Sequence, residues 1–145
     1  MAVTAKMFGQ ALLKALAKEV SYTADTIKVM LCTSSYTPDQ DTHVYKSSVT
    51  NEVASGGGYT TRGAALANKS IGYTAGTNVI KLDADDTVWS ASTITARFAV
   101  IYVDTGVDAT SVLLAYVDFG ADQISSNGTF TITYDAAGIM TVTAA

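Results

Sequence analysis

His43 is the only histidine of the chain, so any Ser-His-Asp chemistry would have to use it. It lies in a polar segment beside Asp39 and Asp41, and the sequence contains no Gly-x-Ser-x-Gly nucleophile elbow. Nucleophilic catalysis also needs a base and an orienting group within reach, and no motif assembles such a set. We therefore expect no catalytic residues, and we expect His43 to be a solvated or interface residue of a non-enzymatic protein.

Asp83, Asp85 and Asp86 form the densest acidic cluster, and carboxylate oxygens at this spacing are ligands that Ca²⁺ accepts. An EF-hand loop also needs a central glycine and a distal glutamate, and the segment 83–88 has neither. Aspartate side chains cap turns by bonding to the local backbone, so we expect a capped turn and no metal site. The Gly-Gly-Gly run at 56–58 is not followed by Gly-Lys-Ser or Gly-Lys-Thr, so it predicts a turn and no cofactor phosphate.

The other side chains with binding potential are the aromatic residues and one thiol. Trp89 and the eight tyrosines are able to line a sugar-binding face, although tyrosines scattered along strands more often fill cores and interfaces. Cys32 is the only cysteine of the sequence, so it has no partner for an intramolecular disulfide. We expect Cys32 to be a buried residue of a strand.

Composition excludes two classes of partner. The net charge is -4 and no run of Lys or Arg exists, so the chain lacks the positive stripe that drives nucleic-acid binding. No apolar stretch approaches about 18 residues, so we expect no membrane partner. Residues 1–10 lack the pattern of a signal peptide, so we expect the protein to function without signal-peptide cleavage. Only 15% of the residues are charged, against about 25% in average domains, which suits a protein that works inside an assembly.

The first structural element predicted is a helix. Met7, Phe8, Ala11, Leu12, Ala15 and Leu16 recur at helical spacing, and Ala, Leu and Lys are strong helix formers. The pattern predicts one amphipathic helix over about 4–20. Two roles remain open for it: packing on the core of its own chain, or acting as an arm that docks on a neighbouring subunit.

The rest of the chain has a β pattern. Strands are predicted at 26–33, 59–62, 70–73, 79–82, 96–103, 112–119, 129–134 and 139–143. The strand at 96–103 belongs to the most apolar run of the chain, 91–103, and this predicts burial on both faces. Loops are predicted at 34–48, 55–58 and 120–128. Short strands at regular intervals indicate one mostly β domain over 1–145, an antiparallel β-sandwich or barrel of about seven to eight strands with an N-terminal helix.

Several stretches of the chain are similar to one known family. They are Tyr22–Leu31, Tyr36–His43, Gly57–Thr60, Leu82–Asp86 with Trp89, Ile94–Arg97, Ala115–Gly120 and Asn127–Phe130. The most specific of them is Tyr-Thr-Pro-Asp-Gln-Asp-Thr-His at 36–43. Through these stretches the chain resembles a widespread family of small tailed-bacteriophage virion proteins, which are labelled head decoration, head fibre or minor tail protein.

The resemblance implies a structural role in the virion and carries no catalytic residues. The resulting expectation is a capsid decoration, or cement, protein that is made in the host bacterial cytoplasm. It would bind the major capsid protein on the head exterior, as a homotrimer. The candidate interface residues are Met7, Phe8, Leu12, Tyr36, Pro38, Asp39, His43, Tyr45 and Tyr59. The alternatives are a host-binding module of the tail tip or baseplate (a minor tail protein), a tail-tube or tail-completion protein, and a cell-wall hydrolase.

Overall fold

The structure is a computed structural model that describes residues 2–144. Within these residues the elements are β1 (Thr4–Met7), α1 (Ala11–Leu16), β2 (Ile27–Cys32), β3 (Ala64–Ala65), β4 (Ser70–Thr74), β5 (Val79–Asp83), β6 (Thr87–Val103), β7 (Leu113–Ile132) and β8 (Met140–Thr143). Short 3-10 helices lie at Lys46–Ser48 and Asp108–Thr110. The strands form two antiparallel sheets, ordered β1-β7-β6-β2-β3 and β4-β5-β8. The expected mostly β, antiparallel sandwich is confirmed, and it is not a closed barrel.

β6 and β7 form one long hairpin that supplies most of the larger sheet. One half pairs Phe98–Tyr102 with residues 113–118, and the other pairs Thr87–Ala96 with residues 123–132. Between the halves β6 advances by two residues and β7 by five, from Ala96↔Gln123 to Phe98↔Asp118. Such extra residues form a bulge that bends the strand. The predicted loop at 120–128 is therefore wrong, because its Gly, Ser and Asn residues lie in a bent strand.

The larger sheet is covered on both faces. In β2, Val29 and Leu31 point into the main core, which lies between the two sheets, and the alternate residues Met30 and Cys32 point into a second cluster. The second cluster is closed by the segment 33–50, which we call the loop layer and which contributes Tyr36 to it. Two-sided cover explains why residues 98–103 are apolar without alternation, as the sequence predicts, and why Met30 and Cys32 of β2 are apolar as well.

The N-terminal helix is much shorter than the predicted one. Thr4–Met7 is strand β1, because its backbone pairs with residues 115–118 of β7 and this pairing overrides helix propensity. α1 is limited to Ala11–Leu16, and Lys18 follows it with a left-handed φ of 67°. Within the described residues no helix has the length and apolarity needed to span a bilayer.

The predicted strand at 59–62 is a turn. Tyr59 closes an isolated bridge with Gly56, and Arg62 and Gly63 have φ values of 76° and 75°, which extended strands do not adopt. The chain becomes extended only afterwards, at β3, which pairs with Val29 and Lys28 of β2. The turn therefore brings Arg62 to the edge of the larger sheet.

Candidate functional site

The loop layer is ordered by contacts within itself and with the sheet below. The Tyr36 hydroxyl lies 3.0 Å from Nδ1 of His43, and the Asp39 amide donates to the same nitrogen at 3.3 Å. The Tyr36 ring stacks on His43 and meets Phe98 edge to face, each with ring centroids 5.8 Å apart. Tyr36, which is buried, is thus the one residue among those described whose side chain hydrogen-bonds to the His43 ring. The arrangement orders the loop and does not resemble a nucleophile with its base.

Asp39 serves as a turn cap in this layer. Its Oδ1 accepts the amides of Asp41 and Thr42 at 3.0 and 3.1 Å. Hydrogen bonds from Thr42, and then from the amide of Asp41, lower the pKa of the Asp39 carboxyl. Asp39 keeps its side chain exposed while its backbone position is fixed, which is the property required of a rigid contact loop.

The predicted interface residues divide into two groups by exposure. Phe8, Tyr36 and Tyr59 are 1–2% exposed, so their side chains already serve the cores of this chain. Met7, Pro38, His43 and Tyr45 are half-buried, and Leu12 and Asp39 are exposed. The surface that remains accessible from this set is therefore the outer side of the loop layer together with α1.

An ion-pair network lies at the sheet edge beside the loop layer; its members are Lys28, Lys46, Glu52, Arg62, Asp104 and Asp108. Arg62 pairs with Asp104 and Asp108, and Lys28 reaches Asp104 at 2.7 Å. Burial acts to raise the pKa of Asp104, but hydrogen bonds from Arg62 and Lys28 outweigh it and hold that pKa well below its usual range. Sequence reasoning missed this network because Arg62 and Asp104 are 42 residues apart.

Glu52 joins the network to the core. Its Oε1 accepts the Tyr59 hydroxyl at 2.9 Å and the Arg62 amide, and that hydroxyl in turn accepts the Leu31 amide at 3.0 Å. Burial raises the pKa of Tyr59, so the phenol stays neutral and keeps donating to the carboxylate. The network therefore fastens the turn at 56–63 to β2, which is a structural task.

The acidic cluster at 83–86 has a protein partner for each carboxylate. Asp83 pairs with Lys81 at 2.9 Å, Asp85 accepts the Asn68 amide nitrogen at 2.6 Å, and Asp86 accepts the Tyr134 backbone amide at 2.9 Å. Across residues 2–144, no group of three or more His, Cys, Asp or Glu side chains is arranged to hold a metal ion. The cluster thus fixes the turns around β5 and β6.

The aromatic and thiol candidates are core residues. Trp89 is 6% exposed and meets Phe130 edge to face at 5.9 Å, so its ring is not available to stack on a sugar. Cys32 is fully buried as expected, and burial raises the pKa of its thiol to about 12. Neither residue contributes to an accessible site.

The smaller sheet carries an apolar face that its own chain covers only in part. Two cross-strand rows lie on this face: Ile71–Leu82–Met140 and Tyr73–Ile80–Val142. Met140 is 7% exposed, whereas Ile71 and Tyr73 are 55% and 59% exposed. The face therefore runs from the core outward to the edge strand β4, and its outer part faces solvent.

Helix α1 stands over this face without closing it. A groove of about 200 Å³ remains between them, and all twelve of its lining residues are apolar, Leu12 and Ile71 among them. Leu12, Leu13 and Leu16 of α1 are 45%, 60% and 76% exposed. We name the groove together with Leu12, Leu16, Ile71 and Tyr73 the apolar surface. Alternating apolar residues at 71/73, 80/82 and 140/142 are its sequence signal.

A second, more polar groove of about 540 Å³ lies along β7. It is lined by Val117, Phe119 and Ile124, and also by Gln123 and the segment 129–135 with its three threonines, Tyr134 and Asp135. Hydroxyl, amide and carboxylate groups beside apolar side chains suit a polar ligand.

Comparisons of the chain with protein-family models, with curated proteins and with solved structures found no match. The phage-virion resemblance therefore stays a prediction.

Proposed function

We propose that this protein is a non-enzymatic structural component of a tailed-bacteriophage virion, and specifically a decoration protein on the outside of the head. The observation that carries the proposal is the stretch Tyr36–His43, which is the most specific part of the family resemblance. In the fold this stretch is the ordered centre of the loop layer, held by the stacked rings of Tyr36 and His43.

Shell contact is assigned to the outer side of the loop layer. Ser34, Ser35, Thr37, Asp39, Asp41 and Thr42 are exposed there. The loop is tied to the N-terminal segment at Gln40, whose side-chain Nε2 donates to the Met7 carbonyl and whose backbone carbonyl accepts the Gly9 amide, both at 2.9 Å. A pre-ordered loop loses little conformational entropy on binding, which suits a small protein that adds to an already built shell.

The partners in this proposal are the major capsid protein and further copies of the chain, arranged as a homotrimer. One such trimer would contact several capsid subunits at once. Because it binds the assembled shell and not free subunits, it would stabilise the assembled state by mass action.

Cryo-EM of the purified virion, with head and tail reconstructed separately, tests the proposal. We expect regular density on the outer surface of the head that accepts the sandwich with its loop layer facing the shell. A head without such density, with the chain at the tail, would overturn the decoration role. Absence of the chain from both reconstructions would overturn the virion role altogether.

The second candidate is a host-binding module of the tail tip or baseplate. The observation that favours it is the polar groove along β7, whose threonines and Asp135 offer donors and acceptors to a glycan or a peptide. Binding of host cell-wall saccharides to the purified chain, lost in a Thr131→Val/Thr133→Val double variant, would support this alternative. Head density together with no saccharide binding would reject it.

A further inference from the structure

The smaller sheet is amphipathic, but only half of its apolar face is used. Residues 72, 81 and 141 on the opposite face are Gly, Lys and Thr, whereas residues 71, 82 and 140 on the inner face are Ile, Leu and Met. In both cross-strand rows the residue on β4 is the most exposed, and every residue of β4 is exposed. A sheet built with one apolar face normally buries that face against another layer. Here the layer is incomplete over β4.

Helix α1 does not supply the missing layer. All three of its leucines are exposed, although leucine is among the residues most often buried in folded chains. Its one charged residue, Lys14, is used internally, with Nζ 3.0 Å from Glu19 Oε1 and 2.7 Å from the Tyr45 hydroxyl. The outward side of the helix is therefore apolar and carries no free charge.

Exposed apolar side chains are concentrated here and not scattered. Within residues 2–144 nine large hydrophobic side chains are exposed, and five of them belong to α1 or β4. Isolated exposed apolar residues are normal, whereas a contiguous group beside an apolar groove marks an interaction site. This clustering of exposed apolar side chains marks the apolar surface as a candidate interaction site.

The charge of the chain favours a second copy as the occupant. Rotational symmetry between identical chains places residues near the axis against their own copies, so any charge there meets a like charge. The chain has a net charge of -4, so two copies repel each other at long range, and contact requires a surface that adds no further like-charge repulsion. The groove lining contains no charged residue, and neither do the leucines, Ile71 or Tyr73 around it. This surface satisfies the electrostatic requirement for contact between identical acidic chains.

We propose that copies of this chain associate with one another through the apolar surface, with α1 and β4 of one copy covering those of the next. The edge position of β4 makes the contact sterically open, since no further strand lies beyond it among the described residues. The Tyr73 hydroxyl is already bonded to Asn78 Oδ1 at 2.8 Å, so burying the ring leaves this hydroxyl paired. The inference deepens the homotrimer part of the proposed function, on which it rests, by naming its surface.

The test measures the molar mass of the purified full-length chain by sedimentation equilibrium from about 1 µM to about 100 µM, where mass action populates weak oligomers. The variants are Leu16→Lys, which places a cation at the end of α1 where the helix dipole favours it, and Ile71→Lys on β4. The matched control is Val107→Lys, whose side chain is 57% exposed in the β6–β7 connection, outside the apolar surface.

We expect the wild type and the control to form a defined oligomer. The dissociation constant of both surface variants should be at least tenfold higher, with unchanged circular dichroism. Ile71→Lys decides the matter if Leu16→Lys alone fails to fold. A wild type that stays monomeric throughout, or surface variants that associate as well as the control, would overturn the proposal. Neither result bears on head or tail location, which the virion reconstruction tests separately.

Discussion

The loop end and the small-sheet end of this sandwich are built by opposite means. At the loop end, the loop layer and the ion-pair network bury tyrosines and pair each network carboxylate with Arg62, Lys28 or Lys46. At the small-sheet end, α1 and β4 leave leucine, isoleucine and tyrosine side chains in solvent. The loop end is complete within one chain, whereas the small-sheet end has apolar area that only another molecule can bury.

The contrast separates the residues that stabilise the monomer from those proposed to associate copies of the chain. Contacts at the loop end hold the long segment 33–62 in one conformation, so substitutions of its buried or ion-paired residues are expected to destabilise the chain. The exposed residues of the small-sheet end contribute little to the folded monomer, so substitutions there are expected to change association.

The largest effect is expected at Gly63, where the turn beside the ion-pair network passes closest to β2. A Cβ at this position would lie 1.8 Å from the Val29 carbonyl oxygen, and the φ of +75° is itself unfavourable for alanine. Gly63→Ala is expected to cost more than about 4 kcal/mol of unfolding free energy, because backbone has to move. Urea unfolding followed by circular dichroism measures the loss.

The matched control for this change is Gly106→Ala. Gly106 has a similar φ of +84°, but a Cβ added there would meet no atom within 4 Å, so only backbone strain is added. We expect a loss of about 1–2 kcal/mol there. Equal losses in the two variants would show that β2 and the turn are not in contact, and the description of the loop end would be incorrect.

Removing a buried leucine beneath the loop layer is expected to have the next largest effect. Leu113 is 1% exposed, and its amide donates to the Val44 carbonyl at 2.9 Å, so loop and sheet meet at this residue. Leu113→Ala is expected to lower the unfolding free energy by about 2–5 kcal/mol through lost burial and the remaining cavity. A cost below about 1 kcal/mol in the same urea titration would mean that the loop layer is loosely packed.

The ion-pair network is expected to give a smaller, pH-dependent effect. The pKa of Asp104 is below its ordinary value of about 3.9, so its stabilisation is present above that pH and is lost as pH falls toward the folded-state pKa. Asp104→Asn is therefore expected to cost about 1–3 kcal/mol at pH 7. The difference in unfolding free energy between the variant and the wild type should decrease below about pH 4.

Urea unfolding from about pH 7 down to about pH 3 measures this difference in unfolding free energy as a function of pH. Asp41→Asn is the control, because Asp41 is an exposed carboxylate of the loop layer that forms no ion pair within the described residues. An Asp104→Asn gap that stays constant over the whole pH range would show that the carboxylate acts through packing and not through its charge.

Sequence reasoning succeeds where a local pattern decides the structure. The apolar residues of 79–82 and the apolar run that ends with 96–103 predict strands that the fold contains, including burial of the latter on both faces. It fails where distant pairing decides: residues 4–7 have helical composition, but the open edge of β7 takes them as a strand. The apolar surface escapes prediction for the same reason, because its rows join residues up to about seventy positions apart.

Leu16→Ala is expected to have the smallest effect on the folded monomer, and this makes it the sharpest test of the contrast. Leu16 is 76% exposed at the end of α1, and alanine is an equally good helix former, so the unfolding free energy of dilute protein should change by less than about 0.5 kcal/mol. The same change at Leu113 removes the same atoms from a buried site.

The dependence of stability on protein concentration distinguishes the small-sheet end from the loop end. If copies associate through the apolar surface, a hundredfold rise in protein concentration stabilises the wild type by mass action and stabilises Leu16→Ala less. The difference in unfolding free energy between the wild type and Leu16→Ala should therefore increase with protein concentration. The corresponding difference for Leu113→Ala should stay nearly constant. A loss above about 1 kcal/mol for Leu16→Ala in dilute protein would mean that α1 is packed within the monomer, and the small-sheet end would no longer differ from the loop end.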